Sequence, residues 1–86
     1  MHGKRVVLFV APGSGGTAVV AARRIGGAVQ RNRARRILRA AWQQAAAQHN
    51  DRDVVLVARE AVRGATTQDL VAEMSELLRR EGFTHP

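Results

Sequence analysis

Five arginines and one asparagine fall among the nine positions from Arg31 to Arg39. A guanidinium stays charged at any physiological pH and presents a rigid fork of donors that fits a phosphate bidentately. At roughly 100° per residue, Asn32, Arg35, Arg36 and Arg39 fall on one side of a helix, with Arg31 and Arg33 at its edges. A merely solvated face of this kind carries acids three or four positions from its cations. Residues 1–50 contain no Asp or Glu at all, so these arginines repel one another until an anion meets them. The chemistry implied is phosphate binding, with counterion release adding affinity. Asn32 has two readings, a contact to a base edge or ribose hydroxyl and a pairing with its own neighbours.

The charge distribution supports a polyanionic partner. The chain has 86 residues and a net charge of +7, with nine Lys/Arg in residues 1–50 and seven Asp/Glu confined to residues 51–86. Nucleic acid fits such an asymmetry better than a membrane, because no long, bulky apolar face lies opposite the arginines. No apolar run approaches the roughly 20 residues of a membrane span. Val6 to Val10 is also too short for a signal-peptide core. Phe9, Trp42 and Phe83 are the only aromatics, which argues against rows of bases stacked on rings. The absence of cysteine removes disulfides and thiolate metal sites and fits a cytoplasmic protein.

The residues that could carry catalysis are scattered. Pro12-Gly13-Ser14-Gly15-Gly16-Thr17 has the glycines of a phosphate-binding loop but not its Gly-Lys-Ser/Thr ending. His2, His49 and His85 lack metal-ligand spacing. Asp51 and Asp53 sit where polar turn residues are expected, Ser14 and Ser75 have no partner base, and Trp42 reads as core. No catalytic residue, metal ligand or protein-bound cofactor is expected.

The elements that must position the arginines follow from periodicity. Val6–Val10 reads as a buried strand, and Thr17–Ala22 as a second strand pairing with it in a hairpin across the glycine-rich turn. Arg23 and Arg24 precede Gly26-Gly27, which permit a sharp entry into a helix from about Ala28 to Gln48. Ala34, Ile37, Leu38, Ala41, Trp42 and Ala45 form its apolar side. Asp53–Ala58 is a continuous apolar run, suggesting a strand buried on both faces. Thr66 and Asp69 stand at capping-box spacing. Leu70, Val71, Met74, Leu77 and Leu78 then form a helical stripe that Gly82 ends. The order β-β-α-β-α implies one α+β domain over residues 1–86, a three-stranded sheet packed by two helices. A β-α-β unit in it is right-handed by default.

The segment Arg23-Arg24-Ile25-Gly26-Gly27-Ala28-Val29-Gln30-Arg31-Asn32-Arg33-Ala34-Arg35-Arg36-Ile37-Leu38-Arg39 resembles the signature of the bacterial ribonuclease P protein subunit. His2-Gly3 before the first strand and the strand from Asp53 to Arg59 match the family as well, so the resemblance covers nearly the whole chain. It implies a ribonucleoprotein that removes the 5′ leader from precursor tRNA, with hydrolysis by the RNA subunit and its Mg2+. It implies that Arg31, Asn32, Arg33, Arg35, Arg36 and Arg39, with Arg23 and Arg24 nearby, face the catalytic RNA. It also implies a leader cleft on the sheet, with Phe9 and Arg5 as its candidate residues, and a left-handed β-α-β crossover in place of the default.

Two departures matter. The family carries a helix before the His-Gly whose aromatics line the leader cleft, and this chain starts at Met1-His2-Gly3. Leader binding is therefore expected to be impaired, and the sheet more exposed to pairing with another copy. Gly27 stands where the family often has a polar or basic residue. The alternative functions are another RNA-binding module, such as a ribosomal accessory protein, and, less in keeping with the residues, a protein-only enzyme or nucleotide binder.

Overall fold

The structure is a computed structural model that describes residues 1–46 and 52–80. Its elements are β1 (Val6–Pro12), β2 (Thr17–Val20), α1 (Ala28–Ala45), β3 (Arg52–Ala58) and α2 (Thr67–Arg80). Two 3₁₀ turns, Arg23–Ile25 and Glu60–Val62, precede α1 and α2. The expected extension of α1 to Gln48, His49, Asp51, the Gly82 stop, Phe83 and His85 lie outside the described residues.

The α+β class and the β-β-α-β-α order are as the sequence implies, but β1 and β2 form no hairpin. The strand order is β1-β3-β2, so β3 lies between them. It pairs antiparallel with β1, from Val6↔Ala58 to Pro12↔Arg52, and parallel with β2, from Thr17↔Val54 to Val20↔Val57. Asp53 explains the difference. Its carboxylate accepts from the Gly16 amide at 2.8 Å and the Ser14 amide at 3.2 Å. The turn thus anchors to the start of β3 and carries the chain over it. A Cβ on Gly13 would overlap the Asp53 carboxylate and force it out of this position.

Nor are the strands buried on both faces. Val6, Leu8, Val54, Leu56 and Ala58 point into the core, whereas Phe9 is 56 % and Val55 37 % exposed. Both helices lie on the inner side of the sheet, and one continuous core joins its inner face to Ile25, Leu38, Trp42, Val62, Leu70 and Met74. Full burial of a leucine such as Leu8, Leu38, Leu56 or Leu70 contributes roughly 1.5–3 kcal/mol.

Residues 1–3 double back along the outer edge of β1. The Leu8 amide donates to the Met1 carbonyl at 2.8 Å, and the Gly3 amide to the Val6 carbonyl at 2.8 Å. This gives the β1 edge a partner within the chain. Glu73 of α2 fastens the turn that follows. It is 11 % exposed, and it accepts from the backbone amides of Arg5 (2.8 Å) and Val6 (3.1 Å) and from the Arg5 guanidinium (3.2 Å). Replacing Glu73 with Ala strands two amides and a cation, and should cost about 2 kcal/mol of unfolding free energy in urea titration.

The capping box at α2 forms as its spacing implies. The Thr66 amide donates to Asp69 Oδ2 at 2.9 Å, and the Asp69 amide to Thr66 Oγ1 at 3.1 Å. The Thr66 amide, and then the Thr66 side chain, hold the Asp69 carboxyl below its ordinary value of 3.8. A carboxyl lowered in the folded state stabilises fully above its unfolded pKa and loses that contribution as pH falls through the lowered value. Below about pH 3.8 the start of α2 should therefore loosen, and Asp69→Asn should flatten that part of the pH–stability curve measured by circular dichroism.

Candidate nucleic-acid interface

The burial of Ala34, Leu38, Ala41 and Trp42 sets the rotation of α1 about its axis. That rotation aims the opposite stripe at solvent. Asn32, Arg35, Arg36 and Arg39, with Ala40 and Gln43, line a shallow open concavity of about 500 Å³ along α1. The Arg35 guanidinium donates to Asn32 Oδ1 at 3.0 Å. Asn32 thus pairs with its neighbour, and so holds one arginine fork in place without neutralising it.

No ion pair involves an α1 arginine among the described residues. Ion pairs form elsewhere, among them those between Arg5 and Glu73, and between Glu76 and both Arg79 and Arg80. The N-terminus of α1 adds to the positive field, since Gly27 supplies no side-chain cap and the first turn contains no acid.

The other residues expected at this surface divide into separate places. Arg31 is half-buried at the edge of the stripe. Arg33 turns the other way, and its guanidinium donates to the Ala65 carbonyl at 2.5 Å. Arg23 and Arg24 are exposed on the 3₁₀ turn, where Arg24 borders a second polar concavity with Lys4, Arg59 and Glu60. Lys4, Arg59 and Gln43 were missed by sequence reasoning. Gln43 was recoverable, being one helical turn beyond Arg39, whereas the meeting of Lys4 with Arg59 requires the β1–β3 register.

Of the two leader-cleft candidates, Phe9 lies on the free face of the sheet and Arg5 does not join it. Phe9, Val55 and Ala18 are register partners across all three strands, and they border an apolar concavity of about 420 Å³ with Thr17 and Asp53. Arg5 is held against α2 by Glu73. Among the described residues no group of three or more His, Asp or Glu side chains converges as a metal site, and no helix is long and apolar enough to cross a membrane.

An arginine stripe on the helix that follows Ile25-Gly26-Gly27, on a β1-β3-β2 sheet, is a specific combination, and comparison with known proteins agrees with it. The sequence profile of the Ribonuclease P family matches residues 1–82. The chain belongs to the ribonuclease P protein family. Membership makes it a protein subunit of an endoribonuclease that acts in tRNA 5′ processing. The fold is similar to that of the Staphylococcus aureus RNase P protein, with a TM-score of 0.74 and 17 % identity over 95 % of this chain and 79 % of that one. It is similar also to the RNase P protein from Thermotoga maritima, with a TM-score of 0.73 and 16 % identity over 93 % and 80 %. No curated protein sequence matches the chain.

Replacing Arg35, Arg36 and Arg39 together with Ala should lower RNA affinity about tenfold or more and reduce the slope of log K against log salt by about two. Fluorescence anisotropy across a salt series reads both. The same replacement of Arg79 and Arg80, which are already paired with Glu76, should leave the slope nearly unchanged.

Proposed function

We propose that the chain is a single RNA-binding domain over residues 1–86 that docks the catalytic RNA of ribonuclease P on the exposed face of α1. The observation that carries this reading is the groove of Asn32, Arg35, Arg36 and Arg39, three arginines with no acid beside them. Phosphates of folded RNA relieve their mutual repulsion and release counterions. Arg31 at the edge and Arg23 and Arg24 on the preceding turn extend the positive field toward the helix N-terminus, where free amides favour phosphate.

Phe9 and the open sheet face receive the leader of the precursor tRNA, an exposed ring and small apolar neighbours being suited to an unpaired base. Arg5, being engaged by Glu73, contributes to the stability of that region more than to the leader. Hydrolysis belongs to the RNA subunit and its Mg2+, in keeping with membership of the family. The cytoplasm, where precursor tRNA is made in bacteria, is the place of action.

Reconstitution tests this. The chain is mixed with ribonuclease P RNA and precursor tRNA at low Mg2+. Leader removal should be stimulated severalfold over RNA alone, and the triple Arg35, Arg36, Arg39 variant should stimulate little. Binding without stimulation would instead support an RNA-binding protein outside tRNA processing. Cleavage by the chain with no RNA subunit present would contradict RNA-borne catalysis.

A further inference from the structure

Arg33 sits between two residues of the arginine groove in sequence and outside the groove in space. The groove is lined by Asn32, Arg35, Arg36 and Arg39. Arg33 lies on the other flank of α1, beside Ile25, Val62 and Arg63. It is half-buried, and its guanidinium donates to the Ala65 carbonyl at 2.5 Å. Ala65 is 4 % exposed and immediately precedes Thr66, whose amide and side chain form the α2 cap with Asp69. A charge-assisted hydrogen bond thus joins α1 to the entry of α2.

The start of α1 has little else to hold it. Ile25 and Ala34 are buried, but none of the eight residues between them is. Gly27 provides no side-chain cap, so the amides of the first turn lack a side-chain acceptor. Gly26 and Gly27 also lose more conformational freedom on ordering than other residue types would. Among the described residues, Arg33 makes the one side-chain hydrogen bond that runs from this segment to another part of the chain. Asn32 lies in the same segment, and its Oδ1 accepts from the Arg35 guanidinium at 3.0 Å. Fraying of the first turns would take Asn32 away from Arg35 and loosen one end of the groove.

We infer that Arg33 is a positioning residue for RNA docking. By tying the first turns of α1 to the Ala65 carbonyl it keeps Arg31, Asn32 and Arg35 in place, and it contacts no phosphate itself. The inference rests on the RNA-binding reading and adds to it a division of labour among the arginines. Arg35, Arg36 and Arg39 are exposed on the groove and meet the phosphates. Arg33 acts through geometry, and a neutral donor of the same shape could make its bond to the carbonyl. Each phosphate contact releases counterions, whereas a bond within the protein releases none, so the two roles differ in salt dependence.

The test uses the full chain and ribonuclease P RNA, with anisotropy read across a salt series and amide hydrogen exchange of the free protein read by NMR. Arg33→Ala should lower RNA affinity about threefold to tenfold and leave the slope of log K against log salt unchanged. Arg35→Ala should instead lower that slope by about one. Replacing Arg33 with citrulline, which keeps the donors and loses the charge, should return affinity to within about twofold of the native value and keep the slope. In Arg33→Ala the Arg31 and Asn32 amides should exchange about tenfold faster or more, and those of Leu38 and Ala41 much less so. A slope lowered by about one in both Arg33 variants would make Arg33 a phosphate contact, overturning the inference and preserving the RNA-binding reading. Unchanged affinity in Arg33→Ala, or equal acceleration of exchange at Leu38 and Ala41, would overturn it as well. Unchanged affinity and slope in Arg35→Ala would overturn the RNA-binding reading itself.

Discussion

The burial of one side of α1 is the constraint from which the other features follow. Leu38 and Ala41 are fully excluded from solvent, and Ala34 and Trp42 nearly so, packed between the sheet and α2. The helix can neither roll nor slide without exposing them, and that exposure costs several kcal/mol. Asn32, Arg35, Arg36 and Arg39 consequently hold fixed positions relative to one another and to the sheet. A flexible basic tail would bind the same polyanion but would have to order itself on contact. Here the ordering has taken place during folding.

The acids explain how the arginines stay free. Among the described residues, Asp53 anchors the turn after β1, Asp69 caps α2, Glu73 clamps the segment leading into β1, and Glu76 pairs with Arg79 and Arg80. Glu60 borders the concavity of Lys4, Arg24 and Arg59. Each has a place away from the groove. The negative charge of the second half of the chain thus serves the fold, and the positive charge of the first half is left for a ligand. Net charge alone would not have distinguished this arrangement from a generally basic surface.

What was legible in the sequence is what local periodicity encodes. The two sides of α1, the Thr66–Asp69 cap and the stripe of α2 depend on residues a few positions apart, and the structure has them where the spacing implied. The strand order was not legible, because it depends on contacts between Asp53 and residues 37 and 39 positions earlier. The apolar run of β3 suggested burial on both faces, yet Val55 stands on an open one. An exposed apolar face and a buried one have the same composition. The intramolecular partners of Arg33 and Arg5 were not legible for a related reason. Their partners, the Ala65 carbonyl and Glu73, are brought up by a different part of the chain, 32 and 68 positions away.

On the function proposed above, the exposed face of α1, and not some other basic patch, meets the catalytic RNA. The chain has no cysteine, so a single introduced one can carry a tethered iron–EDTA group that generates hydroxyl radicals within a short radius. Placed at Gln43, beside the groove, it should cut ribonuclease P RNA at a few defined positions. Placed at the exposed Ser75 of α2, it should cut weakly or not at all. Strong cleavage from Ser75 with none from Gln43 would contradict docking on α1.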